Sequence, residues 1–234
     1  MKKTLDLSLY LVLDPDLCGG AEGMVSTTLA AIQGGVTVVQ LRAPNWKKRA
    51  VAECARELLR LMPASVPLII NDHADVARAV GAAGVHVGQK DLSPEDCRLI
   101  VGPDAIVGLS IANDDELSRL IIDERSRLSP DDELSRPADD EHSRLPRAVD
   151  YIGIGPVFPT GTKKDAAPVV GLDGLRRLLG NVPVPAVAIG GISEVNARSV
   201  YETGVQGIAV VSAICGKNDP ETAARALLAS RPNL

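Results

Sequence analysis

Aromatic side chains are scarce in this sequence: one Trp, one Phe and three Tyr make up 2% of 234 residues. A chain so poor in flat rings has little with which to stack unpaired bases, which argues against single-stranded nucleic acid as a partner. Positive charge is not in excess either. Twenty-five Lys and Arg stand against 30 Asp and Glu, and a net charge of −5 gives no footprint for a phosphate backbone. No stretch approaches 18 consecutive apolar residues, and the apolar run over 5–13, interrupted by Asp6, is too short for a signal segment with a cleavage site. The expectation is a soluble, cytoplasmic protein with no membrane partner. Cysteine and histidine are also sparse. Cys18, Cys54, Cys97 and Cys215 show neither C-x-x-C nor metal-ligand spacing, and His73, His86 and His142 form no H-x-x-x-H pair. A zinc site and a disulfide framework are not expected, and the cysteines read as reduced thiols.

What the chain does have is aliphatic residues in short, regular runs. With 45% hydrophobic residues and few aromatics, the core must be built from Val, Ile, Leu and Ala. Apolar runs at 9–13, 36–42, 67–72, 85–91, 105–110, 151–154, 187–192 and 207–212 read as eight strands. Between them lie segments with helical spacing at 21–33, 46–61 and 74–80, one entered at Ser93-Pro94, and a last helix at 220–229. Near-continuous apolar strands alternating with helices call for a parallel sheet covered on its outer face. Eight repeats in a chain of this length predict a single-domain (β/α)8 TIM barrel spanning 1–234. A doubly wound open sheet is disfavoured, because no G-x-G-x-x-G follows the first strand and polar residues end nearly every strand, not only those at one switch point.

The stretch 151–163 carries the strongest chemical signal. A strand runs through a Gly-Pro turn into a loop bearing Thr160, Gly161, Thr162 and Lys163. Small residues let backbone N–H groups approach an anion, two hydroxyls can donate to it, and a lysine adds a point charge. Taken alone this stretch reads equally well as a polar loop with a surface lysine. In a barrel, however, the strand C-termini converge on one face. Gln40, Arg42, Asn71, Asp72, Asp91, Ser110, Thr160, Lys163, Gly191 and Ser212 are then brought to one pocket. Asp72 and Asp91, from neighbouring strands 3 and 4, could share Mg²⁺, which takes one or two carboxylates together with substrate phosphate oxygens. The Gly190-Gly191 and Val211-Ser212 turns after strands 7 and 8 fall where barrels usually bind phosphate. Such a pocket suits a reaction between two phosphorylated small molecules.

Gln40-Leu41-Arg42, Asn71-Asp72, the run from Gly84 to Asp91, residues 150–163, 189–192 and 209–214 together resemble the motifs of the thiamine phosphate synthase family, in the family's order. The resemblance implies a transferase that condenses 4-amino-5-hydroxymethyl-2-methylpyrimidine diphosphate with thiazole phosphate, giving thiamine phosphate and pyrophosphate. It implies that Asp72 and Asp91 hold Mg²⁺ on the leaving diphosphate. Gln40, Arg42, Asn71 and Lys163 would contact the pyrimidine diphosphate and Ser110 the pyrimidine, with Arg42, Ser110 and Lys163 closest to the chemistry. Thr160, Gly161, Thr162, Gly190, Gly191, Val211 and Ser212 would cradle the thiazole phosphate. In the family the C–O bond breaks largely before the thiazole nitrogen attacks, so the protein must neutralise pyrophosphate and align the partners. No protein nucleophile is needed. Barrels of this kind often pair, which admits a homodimer.

The sequence departs from the family pattern at four places. Pro44 stands where the family's Gln-Leu-Arg-x-Lys has its diphosphate-binding lysine; Lys47 or Lys48 is the nearest substitute, though both also read as solvated helix residues. His73 replaces an arginine. Ile111-Ala112 replace a Thr-His pair whose histidine serves as acid/base in the sister family of thiazole tautomerases, so Ala112 makes that activity the weaker alternative. A third reading, a paralogue that binds thiazole or thiamine phosphate without catalysis, is fed by the same departures. His86, inside strand 4, reads more readily as a hydrogen-bonded core histidine than as a catalytic one. Finally, 113–147 occupies the place of a single helix and contains Asp-Glu-x-Ser-Arg four times, at 115, 123, 132 and 140. Eleven acidic and six basic residues fall there, leaving 19 of each elsewhere. The pattern predicts an acidic, tandemly duplicated insertion after strand 5, helical near 114–128 and broken thereafter by Pro130, Pro137 and Pro146.

Overall fold

The computed structural model describes residues 5–127, 147–161 and 167–232. Eight strands run parallel and close in sequence order: β1 (Leu9–Leu13), β2 (Val38–Leu41), β3 (Leu68–Asn71), β4 (Gly84–Val87), β5 (Ile106–Ile111), β6 (Tyr151–Ile154), β7 (Ala186–Ile189) and β8 (Gly207–Val210), with β8 paired back to β1. The helices that cover them are α1 (Pro15–Cys18), α2 (Ala21–Gln33), α3 (Lys48–Leu61), α4 (Ala74–Val80), α5 (Pro94–Val101), α6 (Asp114–Arg127), α7 (Gly171–Leu179), α8 (Ala197–Tyr201) and α9 (Pro220–Ala229). The expected TIM barrel is therefore the fold.

Strand residues alternate between two apolar layers. One face packs outward with the helices in a continuous cluster that includes Leu9, Leu11, Val39, Ile70, Val85, Ile152 and Ile208. The other face fills the barrel with Leu7, Tyr10, Val12, Val38, Ile69, Tyr151, Val187 and Ala209. Two of the three tyrosines thus lie at the centre of a core otherwise made of aliphatic side chains. Layered filling of this kind makes the barrel interior solid below the strand C-termini, so a substrate can only enter from the top.

Local signals account for most boundaries. Helices α2, α4 and α9 match the expected 21–33, 74–80 and 220–229 to the residue. Ser93 caps α5 by accepting from the Asp96 N–H at 3.1 Å, with Pro94 in the first turn. Several boundaries differ, and β2, β3, β4 and β8 are each shorter than the expected runs. Helix α3 starts at Lys48 because residues 43–46 form a turn closed by Trp46 N–H to Ala43 O at 3.0 Å. β7 stops at Ile189 because Gly190 and Gly191 take positive φ, 99° and 65°, which a strand cannot accommodate. β5 runs one residue past Ser110, to Ile111. Helix α1 was not anticipated; Asp14 nucleates it by accepting from the Asp16 and Leu17 N–H groups, each at 3.0 Å.

The expected helix near 114–128 is α6. Asn113 Oδ1 accepts from the Glu116 N–H at 2.9 Å, and the Glu116 carboxylate reaches back to the Ala112 N–H at 2.7 Å, a reciprocal cap. The rest of the proposed insertion up to Arg147, 128–146, lies outside the described residues. Where the chain returns, at 147–150, the far end of the barrel is held by Arg98. Its guanidinium reaches Asp150 Oδ2 at 2.6 Å and the carbonyls of Gly102, Pro103, Ala105 and Ala148.

Candidate active site

The rim at the strand C-termini is built from consecutive strand ends. Gln40 closes the inward row of β2 and is buried, its Nε2 donating to Tyr10 Oη at 2.8 Å. Arg42 follows β2, half-buried and with no hydrogen bond or ion pair to any described residue. Asn71 is the last residue of β3. Asp72 then turns the chain with φ 61°, the one positive φ outside glycine among the described residues, and its N–H donates to His86 O at 2.8 Å. Asp tolerates the left-handed region better than most residues, but the conformation still costs about 1 kcal/mol or more. Its effect is to stop β3 at the rim and set a carboxylate there.

Asp91 lies in the loop after β4, exposed, where Oδ2 accepts from the Gly88 N–H at 2.8 Å. That bond fixes the loop. Gln89 in the same loop donates to Ser110 O at 2.7 Å and ties the loop to β5. Ser110 Oγ is 2.9 Å from His86 Nε2, and His86 Nδ1 is 2.9 Å from Tyr151 Oη. The reading of His86 as a hydrogen-bonded core histidine holds. Tyr10 and Tyr151, bonded to each other at 2.7 Å, were not anticipated near the site. The available signal was their rarity: both sit at inward positions of strands in a chain that has three tyrosines.

On the opposite side of the rim, the loop after β6 is laced to the one after β7. Val157 and Phe158 donate to Ile189 O and Gly190 O at 2.9 and 3.0 Å. A Cβ at Gly190 would stand 2.5 Å from the Pro156 side chain, and one at Gly191 would stand 2.6 Å from Pro159 O. Only glycine permits this approach, which leaves backbone amides lining the rim. Asn196 Nδ2 donates to Gly191 O at 3.0 Å and holds the turn. After β8 the chain bends at once into a tight turn, with the Ile214 and Cys215 N–H groups both donating to Val211 O. Thr160 and Gly161 follow the β6 loop towards this side, and Thr162 and Lys163 lie outside the described residues.

The structure also addresses the lysine missing at position 44. Lys48 Nζ is engaged with Asp75 Oδ2 on α4 at 2.8 Å. Lys47 lines a cavity of about 890 Å³ between α2 and α3, beside Val25, Leu29, Trp46 and Glu53, to which none of the candidate rim residues contributes. Neither lysine is placed as a replacement. Among the described residues no cluster of three or more His, Cys, Asp and Glu side chains could hold a metal unaided. The donor chemistry at the rim is instead two carboxylates from adjacent loops, Asp72 and Asp91, which is what a magnesium ion sharing its shell with phosphate oxygens and water requires. No helix among the described residues is long and apolar enough to cross a membrane.

A family model described as thiamine monophosphate synthase matches residues 9–126 and 137–214. A thiamine-phosphate synthase of Laribacter hongkongensis is 46% identical over 230 residues, 98% of this chain and 97% of that protein. One of Azorhizobium caulinodans is 46% identical over 228 residues, 97% and 96% of the two chains. Among solved structures, the thiamine phosphate pyrophosphorylase of Pyrococcus furiosus superposes with a TM-score of 0.76 at 33% identity, covering 97% of this chain and 96% of its own.

Proposed function

Since the chain belongs to the thiamine monophosphate synthase family, we propose that it joins 4-amino-5-hydroxymethyl-2-methylpyrimidine diphosphate to thiazole phosphate, forming thiamine phosphate and releasing pyrophosphate. The observation that carries this reading is the convergence of Gln40, Asn71, Asp72, Ser110, Gly191 and Val211-Ser212 on one rim of a closed barrel, in a chain similar over nearly its whole length to thiamine-phosphate synthases.

The rim divides into two ends with different chemistry. On the β2–β4 side, Arg42 and Asn71 offer donors to a diphosphate, and Asp72 and Asp91 offer hard oxygen ligands. Asp72 and Asp91 would hold Mg²⁺, which supplies charge neutralisation to the departing pyrophosphate. Arg42, with no partner among the described residues, would bind phosphate oxygens bidentately. On the β6–β8 side, the Gly190-Gly191 and Val211-Ser212 turns offer amides to the thiazole phosphate, with Thr160 and Gly161 on the loop after β6; Thr162 and Lys163, outside the described residues, keep the roles that the family resemblance implies. Ser110, between the two ends, faces the pyrimidine. Holding the two rings between separately anchored phosphates reduces the reaction to a positioned encounter, and the stabilised charge is on the leaving group. No side chain need act as a nucleophile.

The test is turnover of the purified protein with both substrates, with and without Mg²⁺, following thiamine phosphate directly. Product that requires Mg²⁺ and is lost in Asp91→Ala is the expected result. Thiazole phosphate binding without any product in either condition would refute the synthase reading and identify a binding paralogue.

A further inference from the structure

Four hydrogen bonds cross the barrel interior in series: Gln40 Nε2 to Tyr10 Oη, 2.8 Å; Tyr10 Oη to Tyr151 Oη, 2.7 Å; Tyr151 Oη to His86 Nδ1, 2.9 Å; and His86 Nε2 to Ser110 Oγ, 2.9 Å. The chain connects β2, β1, β6, β4 and β5. Its two ends are pocket residues in the reading above, on which this inference rests; the three residues between them have no assigned role.

With His86 uncharged, the direction of the chain follows from the Gln40 amide, whose nitrogen faces Tyr10. A phenol has one hydrogen to donate, and an uncharged imidazole has one as well. Tyr10 receives from Gln40, so its own proton goes to Tyr151, its other hydrogen-bond partner. The Tyr151 proton then goes to His86 Nδ1, which must be bare. His86 therefore carries its proton on Nε2 and donates to Ser110 Oγ. Two groups emerge with fixed character: the Ser110 hydroxyl hydrogen, with no acceptor among the described residues, and Gln40 Oε1, an acceptor with no partner among them. Arg98 Nε is the one fully sealed side-chain nitrogen or oxygen without a partner among them, so Gln40 Oε1 is not fully sealed.

The interior is built to keep this order. Tyr10 and Tyr151 are 1% and 0% exposed, so water does not compete for their hydroxyls. Burial pushes both phenols far above their ordinary range, and they stay protonated. A Cβ at Gly108 would stand 2.2 Å from Tyr151 Cζ and 2.5 Å from His86 Nδ1, so glycine is what lets these two rings meet.

We propose that Tyr10, Tyr151 and His86 are positioning residues that fix Ser110 as a donor and Gln40 Oε1 as an acceptor, and so select a 4-aminopyrimidine over its 4-oxo counterpart. The amino compound presents an N–H beside a bare ring nitrogen; the oxo compound presents a carbonyl beside a ring N–H. The pocket's donor and acceptor match the first and oppose the second, and leaving buried polar groups mismatched is how a site rejects an analogue of nearly equal shape.

The experiment combines nitrogen NMR of ¹⁵N-histidine-labelled protein, with His86 assigned through His86→Gln, and binding of 4-amino and 4-oxo pyrimidine diphosphates by calorimetry. The expected spectrum has His86 protonated at Nε2 and bare at Nδ1. Tyr151→Phe, which keeps the ring in place, should mix the tautomers and narrow the amino-over-oxo preference by about tenfold or more, leaving thiazole phosphate affinity unchanged. Ser110→Ala should narrow it in the same direction. A wild-type His86 protonated at Nδ1, or a folded Tyr151→Phe with its full preference, would overturn the proposal. Neither readout needs turnover, so a failure of the synthase activity would be seen separately.

Discussion

Replacing Arg98 by alanine tests how the barrel is held at the end remote from its chemistry. Arg98 sits on α5 with its side chain 7% exposed, and it binds the carboxylate of Asp150, 18% exposed, at the foot of β6. It also donates to carbonyls of the 102–105 loop and of Ala148, while Asp150 Oδ2 accepts in addition from the Val107 N–H at 2.8 Å. One side chain thus joins α5, the start of β5 and the re-entry of the chain at 147–150. Removing one member of a buried ion pair costs about 3–5 kcal/mol, because the other charge and the abandoned carbonyls lose their partner. Arg98 Nε is buried without a partner, a penalty of roughly 1 kcal/mol that the substitution relieves. The net expectation is a loss of about 3 kcal/mol, or roughly 6–12 °C in Tm for a chain of this size. Urea and thermal unfolding of Arg98→Ala, Asp150→Asn and the double variant would measure it, the cycle isolating a coupling above about 1 kcal/mol. Turnover at 25 °C should stay within about twofold, since no rim residue is touched. A loss below about 1 kcal/mol, or strictly additive single effects, would refute the claim that this pair clamps the barrel.

Gly108→Ala should cost about 2–3 kcal/mol by overpacking the buried Tyr151 and His86 rings, and should weaken pyrimidine diphosphate binding more than thiazole phosphate binding; denaturation and titration of each ligand would show it. Pro44→Lys restores a cation two residues after Arg42, and should raise kcat/KM for the pyrimidine diphosphate by about tenfold, whereas Lys47→Ala, on the α2–α3 cavity, should change it by less than about twofold. Steady-state kinetics would check both, and equal values for Pro44→Lys and the natural sequence would show that no charge is missing. The neighbouring Cys215 thiol brings the half-buried Cys18 thiol down to about 7, against the opposing effect of its burial. Because the thiolate is the reactive form, iodoacetamide labelling of Cys18 should climb through pH 7 and level off above pH 8, and Cys215→Ala should move the midpoint upward. Burial pushes Cys54 and Cys97 up to about 11, so neither should label at pH 8; peptide mass spectrometry separates the sites.

Periodicity and punctuation made the barrel legible before any coordinate was known. Short aliphatic runs, each ended by a turn residue, identify parallel strands one at a time, and their number leaves few ways to close the sheet. The rim was legible for the same reason, because a polar residue at the C-terminal end of an apolar run has one place to go once the barrel is granted. The tyrosine chain was not. Gln40 and Ser110 lie 70 residues apart in sequence, and their connection runs through Tyr10, Tyr151 and His86 on three other strands. Which inward positions meet depends on the stagger of the strands: Gly108 is registered against both His86 and Tyr151, and its missing side chain creates the gap where they touch. No local pattern encodes that. The two levels also differ in what they secure. Strand-end residues place chemical groups at the rim, whereas the interior chain decides which way their protons point. A family motif that names Gln40 and Ser110 therefore specifies the pocket only if Tyr10, Tyr151, His86 and Gly108 accompany it. A conservative substitution at Tyr10, Tyr151 or His86, with every rim residue intact, should alter which pyrimidine the barrel accepts before it alters the barrel.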